Sequence, residues 1–206
     1  MKNRYKILVV MIVILSISAI LGLFIFINNK PQENAEEEVV ISNVDNVVLR
    51  NLEINYPPTP KEVLKYYSEI TTCFYEENLS EEDLIRLAQT ARKLYDAELC
   101  AGVTEEEYIK SLKEDILEFN SLGIVVSGYT VSSSTDVEEF ELDGQQYARL
   151  YVTYRLRQGT EYIYTNEVFV MRKDEDGHWK ILGWDLLEEE EVESLQETMG
   201  TSEEGQ

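Results

Sequence analysis

From Ile7 to Ile27 the chain carries no charged residue, and no other stretch limits so sharply what it can become. A helix of that length rises about 31 Å, which matches a bilayer hydrocarbon core of roughly 30 Å. Its only polar or helix-weakening interruptions are Ser16, Ser18 and Gly22. Lys2, Arg4 and Lys6 stand just before it, and bases collect on the cytoplasmic side of a span. Residues 1–6 are therefore expected to be a cytoplasmic stub, 7–27 a single transmembrane helix, and everything after Lys30 extracytoplasmic. A cleaved signal peptide needs a shorter apolar core and a small-residue cleavage site. Here the run is longer, and no Ala-x-Ala follows it.

The remainder is acidic. All 40 Asp and Glu lie beyond residue 30, and since 4 of the 18 Lys and Arg lie within residues 1–30, 14 bases face them, a balance of −26. Nucleic acid and anionic headgroups are bound by Lys and Arg that neutralise phosphate, so this surface excludes a nucleic-acid role. Residues 28–54 form an acidic stalk or linker. Glu33, Glu36, Glu37 and Glu38 open it, and a weakly apolar passage from Val39 to Ile54 either docks on the domain or stays a tether.

A folded domain is expected over residues 55–190, followed by an acidic, disordered tail over 191–206. Thr59, Pro60 and Glu62 combine an N-cap, a first-turn proline and a third-position acid. Val63, Leu64, Tyr67, Ile70 and Phe74 then recur at helical spacing. Ser80 with Asp83 predicts a second helix reaching about Leu99, and Thr104 with Glu107 a third ending before Gly123. With the first two helices antiparallel, Cys73 and Cys100 fall at opposite ends of the pair and are expected not to form a disulfide.

From Ile124 the period changes to two. Strands are predicted over 124–131, 137–142, 145–157, 160–173 and 178–187, with hairpin turns at Asp143-Gly144, Gln158-Gly159 and Asp176-Gly177. A two-residue loop at Gln158-Gly159 would set Tyr154 opposite Ile163 and Ala148 opposite Phe169. One sheet face gathers Ala148, Leu150, Val152, Tyr154 and Leu156, with Phe169, Met171, Leu182, Trp184 and Leu186. The other gathers Tyr147, Arg149, Tyr151, Arg155, Tyr162, Tyr164, Val168, Val170, Trp179 and Ile181. One of these faces meets the helices. The other is expected to be covered in part by a partner chain, by residues 39–54 or by a ligand. Helices first and a meandering sheet second is an α+β layout, with three helices on one face of an antiparallel sheet.

Asn55-Tyr56-Pro57-Pro58-Thr59-Pro60 ahead of the first helix, with Asp176-Gly177-His178-Trp179-Lys180-Ile181 near the end, resembles a family of unknown function. Its members are single-pass extracytoplasmic proteins of clostridial Gram-positive bacteria. The resemblance implies a cone-shaped, cystatin-like domain of the nuclear-transport-factor-two type, with helices packed into a curved sheet. It transfers no catalytic residue.

The remaining motifs are plain. His178 is the one histidine, and with two cysteines it cannot fill a histidine-cysteine metal site. Residues 174–177 hint at a calcium loop but lack its twelve-residue spacing and terminal glutamate, so they are read as a turn. No phosphate loop or nucleophile elbow is present, and neither a cofactor nor a metal is implied. The expected function is a non-catalytic, membrane-anchored ectodomain that binds a protein or envelope component, with a homodimer as one form of partner. Its candidate surface is Tyr147, Arg149, Tyr151, Arg155, Tyr162 and Tyr164, because Tyr and Arg are enriched where binding energy concentrates. A small-molecule or enzymatic pocket inside the cone and a self-assembling structural module are the alternatives.

Overall fold

The computed structural model describes residues 44–75 and 79–187. The apolar run 7–27, the stalk up to residue 43 and the tail from residue 188 lie outside them. Among the described residues, no helix is long and apolar enough to cross a membrane.

The passage left open between docking and tether is part of the fold from Val44 onward. It forms a short helix α1, Val44–Val48, with Val44 and Val47 buried. The Tyr66 hydroxyl donates to the Val47 carbonyl at 2.7 Å, and the Arg50 guanidinium lies 4.8 Å from the centre of the same ring. This segment packs on the helices, so it covers none of the opposite sheet face.

Helix α2, Pro60–Phe74, starts where the Thr59 side chain accepts the Glu62 N–H. Helix α3, Glu81–Arg92, is capped by Ser80 and is shorter than its apolar pattern predicts. Leu94 and Tyr95, which extend that pattern, leave the helix for the sheet. The Ile181 N–H donates to the Leu94 carbonyl and the Asp96 N–H to the Ile181 carbonyl, both at 2.8 Å. Asp96 then caps a separate turn, α4, Ala97–Cys100. A pairing partner at the sheet edge satisfies these backbone groups as well as another helical turn would, so tertiary contact overrides periodicity. Helix α5, Glu105–Ser121, opens on the full reciprocal capping box of Thr104 and Glu107. Cys73 is buried in α2, Cys100 ends α4, and neither forms a disulfide.

Five strands follow: β1, Ile124–Val131; β2, Glu138–Leu142; β3, Gln145–Gln158; β4, Glu161–Lys173; and β5, Trp179–Leu186. The sheet runs β1-β3-β4-β5, and β2 pairs with β3 alongside the stretch that β1 occupies. The loop Asp143-Gly144 takes positive φ at both residues, 52° and 78°, as a type I′ turn demands. At the next hairpin Gln158 faces Glu161, so the loop is Gly159-Thr160 rather than Gln158-Gly159, with Gly159 supplying the positive φ. Ala148 therefore faces Met171, Tyr154 faces Thr165, and Leu150 faces Phe169. The shift is two residues in total, so the faces survive it.

The last hairpin changes a face assignment. Its turn closes through the Gly177 N–H on the Asp174 carbonyl, and Asp174 pairs with His178, which leaves an odd three-residue loop. A register shift opposite Val170/Met171 then leaves Leu182 unpaired between Ile181 and Gly183. The odd loop flips the parity and the bulge restores it. Trp179 and Ile181, expected with the tyrosine row, therefore lie on the helix side at 4% and 0% exposure. They join Ala148, Leu150, Val152, Phe169 and Met171 there, beneath Val63, Leu64, Tyr67 and Ile70 of α2.

Candidate functional site on the open sheet face

No described helix covers the alternate residues of β3 and β4. Arg155 faces Tyr164 and Arg157 faces Tyr162 across the ladder, which brings two rings and two guanidinium groups together at one end. Tyr162 and Tyr164 are 45% and 55% exposed. The Arg155 Nε donates to Ser127 Oγ at 3.1 Å, and its guanidinium sits 5.4 Å from the Tyr162 ring centre. The arginine is thus held flat on the sheet by its own neighbours, a positioned cation beside two open rings.

Tyr147 and Arg149 belong to the opposite end. Eight residues separate Tyr147 from Arg155 along β3, about 26 Å at roughly 3.3 Å per residue. Tyr147 is half-buried and stacks on Phe140, ring centres 5.5 Å apart. Arg149 donates to Glu138 from Nη2 at 2.5 Å and from Nε at 3.1 Å, so its charge is already matched. Tyr151 lies between the two ends, half-buried and facing Val168. The six residues thus form a stripe with two centres. Arg155, Tyr162 and Tyr164 make one, while Tyr147 and Arg149 share the other with Phe140 and Glu138.

The helix side holds polar chemistry that the apolar alternation of the strands does not announce. Glu167 occupies a core-parity position in β4, opposite Val152 and Leu186. Burial pushes its carboxyl up to about 7, and Tyr154, Tyr67 and Tyr75 lie within reach of its charge. Asp115 on α5 is also raised to about 7, by burial and then by Glu118 and Glu114. The hydroxyls of Tyr67, Tyr95 and Tyr108 form a chain with 3.2 Å links. Desolvation holds all three phenols above their ordinary range. The clue in the sequence was a lone acid, Glu167, alternating in step with Phe169 and Met171.

At the β4–β5 turn, Asp174, Asp176 and His178 bring ligand-type atoms within 4.8 Å of one another. Asp174 Oδ1 already accepts the His178 N–H at 2.7 Å, the Lys180 ammonium stands 3.9 Å from Oδ2, and the Tyr56 ring stacks on the imidazole at 4.3 Å. A lysine in that place does the work of a cation, and the cluster is accounted for as a packed turn.

A helix layer on one face of an antiparallel sheet, with the other face offering rings and guanidinium groups to solvent, defines an α+β domain. The chain belongs to DUF6715, a domain family of unknown function, whose pattern matches residues 1–184. A search of curated proteins by sequence returns no match. Among solved structures, the chain is similar to CagV, a VirB8 homolog of T4SS from Helicobacter pylori Strain 26695. The two share 9% identity with a TM-score of 0.38, over 61% of this chain and 97% of that one. A likeness at that score assigns this chain neither fold nor partner.

Proposed function

We propose that this protein is a membrane-anchored extracytoplasmic binding module. Residues 7–27 span the membrane, 1–6 are cytoplasmic, and the acidic stalk holds a cone-shaped, cystatin-like domain away from the bilayer. The domain binds a protein or an envelope component through its sheet, without catalysis, and a second copy of itself is one such partner. One observation carries this reading. Phe140, Leu142, Tyr162 and Tyr164 stand 45–56% exposed on a sheet whose other face meets the helices, and exposed apolar side chains gathered on one face mark an interaction surface. A photo-crosslinker placed at Tyr164 of the full chain in intact cells tests it. Adducts with a defined protein or envelope polymer support the reading, and adducts with solvent alone end it. Protease added to wall-stripped cells should digest the domain, and full protection would reverse the topology.

A second reading rests on Glu167. A half-buried carboxyl beside Tyr154, with Tyr67 and Tyr75 close by, is the kind of group that a small-molecule pocket uses to orient its ligand. Saturation-transfer screening of the wild type against Glu167→Gln separates the two readings, because only a pocket ligand would lose its signal in the variant.

A further inference from the structure

Strand β2 is the rim of the sheet at its hairpin end. Its five residues are all exposed, and among the described residues it pairs with β3 alone. Leu142 faces Gln145 across the two-residue turn at Asp143-Gly144, the position where an antiparallel pair exchanges both of its backbone bonds. Alternation then turns the backbone groups of Phe140 and Glu138 toward β3 as well, and those of Glu139 and Glu141 toward the outside. The side chains divide in the same way. Phe140 and Leu142, 45% and 56% exposed, lie on the open face with Tyr147, while Glu139 and Glu141 lie on the other. Glu138 is held by Arg149, whereas Glu139 and Glu141 have no ion pair among the described residues. An outward row of N–H and C=O groups is a template for another strand.

Resting on the reading of the domain as a binding module, we infer that the β2 edge takes an extended basic peptide of another protein, with Lys or Arg at alternate positions and an apolar residue between them. The backbone groups of Glu139 and Glu141 add a strand whatever its sequence. The side chains supply the selection. In an added antiparallel strand, the residues bonded to Glu139 and Glu141 lie on the same face as these two carboxylates, so a base at each meets an acid directly across the ladder. The residue between them lies opposite Phe140, where no backbone bond intervenes and side chains come closest. An apolar group there extends the stack that Phe140 makes with Tyr147, ring centres 5.5 Å apart. A second copy of β2 is the wrong occupant. Antiparallel pairing centred on Phe140 would set Glu139 against the copy's Glu141 twice, and like charges directly opposite are destabilising. The same two acids therefore bar self-pairing and admit a basic strand.

The full chain in detergent is titrated with a short end-blocked peptide in which Lys and Val alternate, and the hydrogen exchange of β2 is followed. Binding should slow the Glu139 and Glu141 amides by about ten-fold or more. The same peptide methylated on its lysine backbone nitrogens lacks the donors that face the edge and should give no protection. Glu139→Lys with Glu141→Lys, both at exposed positions, should keep the thermal midpoint, lose the basic peptide and take one in which Glu and Val alternate. No protection by the Lys-Val peptide, equal protection by its methylated form, or no reversal in the charge-swapped variant overturns the inference. So does protection that rises with protein concentration in the absence of peptide, which would put a second copy on the edge. If a crosslinker at Tyr164 still yields defined adducts in cells, only the basic partner falls; if it yields none, the binding-module reading falls with it.

Discussion

The two faces of β3 are built from one strand, residue by alternate residue, yet they answer to different demands. Ala148, Leu150 and Val152 are at most 1% exposed, and each touches the layer that α2 completes. Their neighbours Tyr147, Arg149 and Tyr151 face outward, and their partners are local: a stacked ring, a glutamate, a serine hydroxyl bound to the backbone. Removing atoms from the inner face leaves a cavity that nothing refills. On the outer face, water takes the place of whatever is removed. Period-two alternation therefore separates residues that the fold requires from residues that it merely tolerates, and function is to be sought among the latter.

The largest effect belongs to the inner face. Phe169→Ala removes a fully buried ring packed on Tyr67 and Trp184 and should cost about 3–5 kcal/mol in chemical denaturation. A loss below about 1 kcal/mol would mean that the core closes over the gap and that the contrast is weaker than the burial suggests.

The two outward ion pairs sharpen the contrast from the other side. Arg172 is held by the carboxylate of Asp96, whose side chain is 6% exposed, and by Glu98 at 3.1 Å. Arg149 with Glu138 is roughly half exposed on both sides. Asp96→Ala should cost about 3 kcal/mol, since it strips the nearest partner from a guanidinium that is mostly out of water and uncaps α4 as well. Glu138→Ala should cost under about 1 kcal/mol. Equal losses would place both pairs in the same environment and break the distinction.

Acidity probes the carboxyls that the fold takes out of water, Glu167 on the inner face and Asp115 on α5. Glu167 and Asp115 titrate near 7 in the folded chain, whereas carboxyls of an unfolded chain titrate near 4. Between those values the folded state holds protons that the unfolded state has released, so stability falls as pH rises from about 4.5 to about 7. Above that window the full penalty of burying the charge remains. The thermal midpoint should accordingly be several degrees higher at pH 5 than at pH 8, and Glu167→Gln should flatten the slope. A midpoint that rises over this range would contradict the burial of these carboxyls.

Smallest of all should be the effect of Tyr162→Ala with Tyr164→Ala on folding. Both side chains are about half exposed, and truncating exposed residues shifts stability by about 0.5 kcal/mol or less apiece. The same variant should lose partner adducts or self-association. A collapse of the thermal midpoint would return these rings to the core and remove the outer face as a candidate surface.

Much of this architecture was legible because its signals are local. Thr59, Ser80 and Thr104 announced three helix starts, and Asp143-Gly144 announced a hairpin whose positive φ values admit few other residue pairs. What escaped depends on contacts distant in sequence. The end of α3 is decided by Ile181, far along the chain, and the faces of Trp179 and Ile181 by a bulge at Leu182 that no spacing rule announces. The docking of residues 44–54 depends on Tyr66 finding the Val47 carbonyl. The outer stripe could be assembled by counting alternation, although not its division into two centres, which follows from the neighbours that Ser127 and Glu138 supply. Glu167 was legible in principle as an acid in step with the core, but alternation weighs apolar residues and passes over the exception.

Trp184 has a further use. It sits half-buried among the rings of Tyr67, Tyr95 and Phe169, with centres 5.7–5.9 Å away, where α2, the chain after α3, β4 and β5 converge. Excitation absorbed by Tyr67 and Tyr95 passes to the indole at such short range, so the tyrosine-excited share of tryptophan emission should fall when the helices leave the sheet. Trp179, sealed at 4% exposure beneath Lys173 and near Tyr56, contributes a second emitter of a different environment five residues away. The protein thus contains its own optical gauge of helix–sheet docking. Folding, detergent exchange or partner capture can be followed by light in the unlabelled chain.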